Sequence, residues 1–292
     1  MVEKVKILIT GSQGMLGSAL VKVLSSEFKT KGIDIADCDI TDKDQIINLV
    51  TSYRPSIIIH TAAYTDVDVN ELNSERAFAV NALGSENIAK AAKDAQALLF
   101  YISTDYVFDG NKPKPYIEED IPNPVNIYGS SKLKGEKFVQ ALVEKHFILR
   151  TSWLFGPKGK NFVTTILDKA QAVSRLEVVD DQKGSPTYTL DLAKAIKNLI
   201  AHLDTVPCQD CYGIYHLTNA GSCFWFEFAK RIVELANLKT EVFPISSQES
   251  KRPACRPKMS ILNTNKIKDV FSAELRTWQE ALESFLSEFH EK

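Results

Sequence analysis

The sequence predicts an α/β fold, a doubly wound parallel sheet followed by a smaller, mainly helical C-terminal lobe. Three observations carry this reading. A β-rich run, Val5 to Thr10, leads at once into Gly11-Ser12-Gln13-Gly14-Met15-Leu16-Gly17 and then a helical pattern from Ser18 to Leu24. β-branched runs and amphipathic stretches then alternate, the pattern of a parallel sheet wrapped by helices. After Trp153 strands become sparse and periodic helices dominate.

At 292 residues the chain can bury a large core, and its net charge of −2 gives no electrostatic footprint for nucleic acid or an anionic membrane. No apolar run reaches the length of a membrane span, and Met1-Val2-Glu3-Lys4 runs into the first strand without a signal-peptide pattern. A cytoplasmic location, with no nucleic-acid or membrane partner, is expected. The five cysteines are irregularly spaced, which argues against a disulfide framework. Cys208 and Cys211 form a C-x-x-C without the second ligand pair a closed zinc site needs, so this stretch reads as a loop without metal.

Strand, glycine loop and helix together make the context of a dinucleotide site. The backbone turns tightly, approaches a pyrophosphate closely and offers it helix N-terminal amides, so Gly11 to Gly17 are candidate cofactor contacts. The second run ends in Asp34, placed for the adenosine ribose hydroxyls. That favours NAD, while Lys29 and Lys31 leave NADP open. Asp39 and Ile40 read equally as the border of an adenine or as a loop beside a helix cap at Thr41 or Asp42.

Lys43 to Tyr53 is helical and stops at Arg54-Pro55; Ser56 to His60 is a buried strand by its continuous β-branched run. Ala62, Ala63 and Tyr64 leave its carboxyl end, where small residues let a cofactor lie against backbone. His60 reads as a satisfied strand-end histidine. One helix is expected from Glu75 to Asp94, containing Asn81, and a strand from Leu98 to Ser103. Thr104, Asp105 and Tyr106 follow at that strand's carboxyl end, where open parallel sheets place their ligands.

A proline-rich loop then leads to Tyr128-Gly129-Ser130-Ser131-Lys132, at the start of an amphipathic helix. Tyr and Lys four residues apart share a face. An ammonium beside a phenol stabilises the phenolate and brings its pKa of about 10 toward the working range of acid–base catalysis. Such a pair suits protonation of a ketone oxygen as a hydride reaches its carbon, although the spacing alone also suits a surface pair.

His146 to Arg150 supplies one more strand. The helices Phe162–Ala172, Leu190–Leu203, Phe224–Ala236 and Trp278–Phe289 make a second lobe, which divides the chain into 1–155 and 156–292. Gly213 to Leu217 reads as a strand that returns to the first sheet. Phe224-Trp225-Phe226 reads as helix packing, and Lys251 to Lys258 fits a solvated loop and a diphosphate clamp equally well.

In this order and spacing the motifs resemble those of the extended short-chain dehydrogenase/reductase family, and within it the dTDP-4-dehydrorhamnose reductases. The marks run from end to end: Ala62 to Asp68, Ser103 to Gly110, Tyr128 to Lys132, Arg150-Thr151-Ser152-Trp153, Asn161-Phe162, Asp181 to Thr187, and Arg256-Pro257 followed by Ser260 and Leu262. The resemblance implies a Rossmann-like fold and hydride transfer from NADH or NADPH to C4 of a dTDP-4-keto-6-deoxy-L-sugar. Tyr128 would be the proton donor. Lys132 would hold the nicotinamide ribose and lower the Tyr128 pKa, while Thr104 bonds the keto oxygen, Asp105 and Trp153 line the sugar pocket, and Arg256 meets the diphosphate.

Some members of that family are dimers bridged by magnesium, held by carboxylates whose matching positions here are Ala19 and Leu190. Neither can ligate a hard cation, and only Asp191 stands nearby. No structural magnesium is expected, and a homodimer, if formed, would use another contact. Two rival readings remain at this point. A dehydratase of the superfamily would need a glutamate where Tyr106 stands, whereas an epimerase shares the Tyr and Lys. A regulatory subunit resembling the β subunit of methionine adenosyltransferase would bind without turnover.

Overall fold

The computed structural model describes residues 4–205 and 211–290. Its first half alternates strands and helices: β1 (Lys6–Thr10), α1 (Met15–Leu24), β2 (Lys29–Ile33), α2 (Lys43–Tyr53), β3 (Ile57–His60), α3 (Val67–Leu72), α4 (Ser74–Phe78), α5 (Ser85–Asp94), β4 (Leu98–Thr104), α6 (Ile127–Leu142) and β5 (His146–Thr151). The second half holds β6 (Leu154–Phe155), α7 (Phe162–Ala172), β7 (Arg175–Val179), β8 (Lys183–Gly184), β9 (Thr187–Tyr188), α8 (Thr189–Thr205), β10 (Gly213–His216), β11 (Cys223–Phe224), α9 (Trp225–Leu235), β12 (Glu241–Ile245), α10 (Ser247–Ser250), α11 (Asn265–Phe271) and α12 (Trp278–His290).

The six-stranded sheet runs β10-β5-β4-β3-β1-β2, every pair parallel. Its inner strands β1, β3, β4 and β5 are buried on both faces, which is why they read as continuous apolar runs, whereas the edge strand β2 is largely exposed. Ile7, Ile9, Ile59, Phe100 and Leu149 meet α1 and α8 on one face, while Leu8, Ile58, Tyr101 and Ile148 meet α2, α5 and α6 on the other. The order reverses between β1 and β3. That switch point opens the crevice into which the carboxyl ends of the strands project.

Residues 213–216 join the sheet edge beside β5, and α8 packs on α1 within the first core. A second core gathers Phe155, Tyr188, Phe228, Trp278 and Phe285. It is less purely helical than its sequence suggests. Three two-stranded ladders, β6 with β9, β7 with β12 and β8 with β11, tie its helices together.

The helix expected from Glu75 to Asp94 is also broken differently. Between α4 and α5 the backbone takes π geometry from Ala79 to Gly84. The wider turn points Asn81 inward, where Oδ1 accepts from Tyr64 N at 2.7 Å and Nδ2 donates to Ser131 at 3.0 Å. π turns of this kind are a local choice that hydrophobic spacing does not announce. Cys208 lies outside the described residues, and so therefore does the C-x-x-C reading. No helix among the described residues is long and apolar enough to cross a membrane.

Candidate active site

One cleft of about 890 Å³ runs along the carboxyl ends of the strands. At its near end Gly11 takes φ +68°, and a Cβ there would lie 2.7 Å from the Ala62 backbone. A Cβ on Gly17 would come within 2.0 Å of the Gly11 carbonyl oxygen. Only glycine permits this fold of loop on helix. Gly14 caps α1 with no side-chain hydrogen bond, so the first-turn amides stay available to an anion.

Gly11, Gln13, Gly14, Met15, Leu16 and Gly17 line the cleft. Ser12 does not. Its amide donates to the Ile33 carbonyl at 3.0 Å, and its side chain packs where a Cβ on Gly32 would fall. Asp34 follows β2 and is fixed by two amides, Gln13 N to Oδ2 at 3.0 Å and Ile35 N to Oδ1 at 2.9 Å. Asp39, Ile40, Ala62, Ala63 and Tyr64 complete this end. The cap of α2 is Asp42, which accepts from Asp44 N and Gln45 N. His60 is satisfied on both nitrogens, by Thr10 at 2.7 Å and Ser85 at 3.1 Å.

At the far end, Asn126 caps α6 and thereby sets where Tyr128 emerges. Tyr128, Lys132, Thr104 and Asp105 all line the cleft. The Thr104 hydroxyl donates to Asp105 Oδ1 at 3.1 Å and accepts from Tyr106 N at 3.1 Å. Burial pushes the Tyr128 phenol up to about 12, against a lowering by its hydrogen bond with Thr104. Lys132 is not among the groups that move it.

In the chain by itself burial sets the direction of that shift. The Lys132 ammonium, at the cleft, donates to the Ile102 carbonyl at 2.7 Å and lies 4.1 Å from the Tyr101 ring centre. Burial lowers its pKa to about 7, opposed by Glu136. Asp105 is 2% exposed, and burial raises its pKa to about 7 against hydrogen bonds with Ser260 and Thr104.

The wall opposite comes from the second core. Trp153 has φ +48° and lines the cleft together with Trp225, on which its ring stacks. Trp225 therefore does more than the helix packing its sequence suggested, because it opens α9 right after β11 and faces the cleft. Tyr106, at the carboxyl end of β4 as its sequence position predicts, also lines it, as do Arg76 and Lys160; nothing in the local sequence of Arg76 and Lys160 separates them from other surface residues. Arg256 does not line the cleft. Its guanidinium pairs with Asp68 at 3.0 Å and is hydrogen-bonded with Tyr106, which does. Arg252 pairs with the same carboxylate at 3.0 Å.

The two positions matched to magnesium ligands carry no oxygen donor, and Asp191 is already bound. It accepts from Arg276 at 2.8 and 3.0 Å and from Asn219 at 2.9 Å.

Comparison with known proteins agrees with this geometry. The family model described as the RmlD substrate binding domain matches residues 5–291. A dTDP-4-dehydrorhamnose reductase of Aggregatibacter actinomycetemcomitans is 38% identical over 290 residues, covering 96% of this chain and 97% of that protein. A solved dTDP-4-dehydrorhamnose reductase of Bacillus anthracis str. Ames, in complex with NADP, is 44% identical with a TM-score of 0.92, covering 98% and 99% of the two chains. A UDP-glucose 4-epimerase of Thermus thermophilus, at 21% identity and a TM-score of 0.83 over 98% of this chain and 99% of that one, shares the fold. A glycine loop, a Tyr–Lys pair and a tryptophan wall in one cleft, matched by that family model over nearly the whole length, place the chain in the RmlD family of extended short-chain dehydrogenases/reductases.

Proposed function

We propose that the protein reduces the C4 ketone of dTDP-4-dehydro-L-rhamnose to the alcohol of dTDP-L-rhamnose, with NADPH or NADH as reductant. The observation that carries this reading is the placement of Thr104 and Tyr128 at the far end of a cleft whose near end is a dinucleotide cradle. The cradle fits the cofactor because the bare Gly11 and Gly17 let the loop fold tightly onto α1 and because the first-turn amides of α1 are uncommitted. When bound, the nicotinamide supplies the hydride.

The chain's own residues supply the proton and its control. A phenol held near 12 is fully protonated at neutral pH, so Tyr128 is loaded as the donor to the C4 oxygen. Thr104 bonds the same oxygen, and that contact strengthens as negative charge develops there. Lys132 presents its ammonium to the cofactor ribose, and Asp34 presents its carboxylate to the ribose at the other end. Trp153 and Trp225 give the sugar a flat apolar wall, with Asp105 beside it. Arg256, outside the cleft, holds Tyr106, which lines it.

In this reading residues 1–155, with β10 added to the sheet, take the cofactor, and residues 156–292 take the sugar. The protein works in the cytoplasm, and any homodimer forms without a magnesium bridge. The NADP held by the Bacillus anthracis relative supports NADPH, and Asp34 supports NADH.

The test is loss of NADPH and of NADH absorbance with dTDP-4-dehydro-L-rhamnose, for wild type and Tyr128→Phe, with EDTA present. Rapid oxidation by the wild type alone is expected. A folded, cofactor-binding wild type that oxidises neither would overturn the reading.

A further inference from the structure

Behind the Tyr–Lys pair lies a second charged pair that the reaction, as described, does not use. Glu136 follows Lys132 by one turn of α6, so the two side chains share a face. Lys132, Glu136 and Arg150 are 2%, 1% and 1% exposed. The register of β4 on β5 sets Ser103 beside Arg150. Both reach the same carboxylate: Ser103 Oγ donates to Glu136 Oε1 at 2.5 Å, Arg150 Nε to Oε1 at 2.9 Å and Nη2 to Oε2 at 2.7 Å. Ser103 also stands between Ile102, whose carbonyl holds Lys132, and Thr104.

We infer that Glu136 is a positioning residue for the proposed reduction, acting through Lys132: its buried carboxylate, tuned by Arg150, keeps the Lys132 ammonium charged beside the cofactor ribose. The inference rests on the reductase reading.

The surroundings leave this task to Glu136. On α6 Lys132 faces Tyr128, a neutral phenol. From β4 it meets the Tyr101 ring, and beyond that lies His60 on β3, which burial keeps neutral with its pKa lowered to about 3. Asp105 lies past Thr104 and is held by its hydroxyl. The Arg150 guanidinium on β5 is committed to Glu136 and to the Phe108 ring, 5.0 Å away. Glu136 is the one group that raises Lys132 against its burial. Charges one helical turn apart, at an effective dielectric of about 20, shift each other by about one pK unit or more.

The experiment compares the pH dependence of kcat/KM in wild type, Glu136→Gln, and the double variant Glu136→Gln/Arg150→Met. The double variant leaves no buried charge unpaired, should the single one fail to fold. Removing Glu136 lowers the Lys132 pKa, so Lys132 loses its proton sooner and the alkaline limb moves about one unit toward acid. The double variant moves it the same way, because it too lacks the carboxylate that raises Lys132. A folded variant of either kind whose limb stays within about 0.3 unit of wild type overturns the inference, since a purely structural staple would change rate or stability without moving the limb.

The same variants, labelled with 13C-lysine, report the Lys132 titration directly by NMR, with the resonance assigned from Lys132→Arg. A wild type without reductase activity would refute the functional reading. The lysine titration would still decide whether Glu136 sets the charge.

Discussion

Trp153 and Trp225 lie face to face, ring centroids 3.4 Å apart and planes 6° from parallel. The first belongs to the corner between β5 and β6, the second to the start of α9. Trp153 holds its position with a left-handed backbone, φ +48°, which costs a bulky residue roughly 1–3 kcal/mol. Two neighbours keep it there. Trp225 covers one face, and on another side the bare Gly184 leaves room where a Cβ would come 2.5 Å from Trp153 Cε2. An aromatic pair contributes roughly 0.5–1.5 kcal/mol beyond its buried area. Trp225→Ala should therefore raise KM for the sugar nucleotide up to about 10-fold and leave cofactor affinity unchanged. Steady-state kinetics with each substrate varied in turn checks this. An unchanged sugar KM would mean that Trp225 is packing alone.

Tyr128 and Thr104 should separate by the kind of loss they cause. Tyr128→Phe removes the proton donor, a contribution of about 10²–10⁴ in rate. Thr104→Val removes one hydrogen bond to the developing oxyanion, about 10²–10³. Both losses belong in kcat, because each contact strengthens only as the ketone is reduced. Cofactor titration by fluorescence quenching should give wild-type affinity for both variants. A Tyr128→Phe enzyme that kept its kcat would assign the proton to another group, with Asp105, pKa about 7, next in line.

What the sequence could disclose was chemistry confined to short spacings. Gly11 to Gly17 and the Tyr128–Lys132 turn each specify their geometry within seven residues, so position along the chain was enough. The alternation of strand and helix was legible because both faces of the sheet are covered. Other features arise only when distant segments meet. Trp225 faces the cleft because of how β11 pairs with β8, and Arg150 reaches Glu136 through the register of β5 on β4. Ser12 turns from the cleft because Gly32 leaves room behind it. The direction of the Tyr128 shift depended on burial, which a four-residue spacing does not contain. The π turn at Asn81 had no sequence signature that periodicity could report.

Asp191 bears on metal dependence. Both of its oxygens are committed, to the fork of Arg276 and to Asn219, and it is 8% exposed. Ala19 and Leu190 add no oxygen to a hard cation. Activity and melting temperature should be the same after dialysis against EDTA as with millimolar magnesium. Asp191→Asn should instead act on stability, since it leaves a partly buried guanidinium without its carboxylate. A loss of about 1–3 kcal/mol in urea unfolding is expected. A fall in activity on EDTA treatment, restored by magnesium, would show that a cation is held by residues other than these.

His216 should make the protein sensitive to mild acid. Its ring is buried, with Nδ1 donating to the Tyr116 carbonyl at 3.1 Å, and burial beside Arg150 lowers its pKa to about 3. In the unfolded chain the value returns to about 6.5. Between these two values the unfolded state binds a proton that the folded state refuses, so stability is held above pH 6.5 and lost as pH falls toward 3. From pH 6.5 to 4.5 this one group removes about 2 kcal/mol. His216→Asn keeps a donor for Tyr116 and cannot titrate. It should be less stable than wild type at pH 6.5, and that gap should narrow by about 2 kcal/mol at pH 4.5, as measured by urea unfolding at both pH values. A gap that stays constant would mean that His216 takes up its proton inside the folded protein.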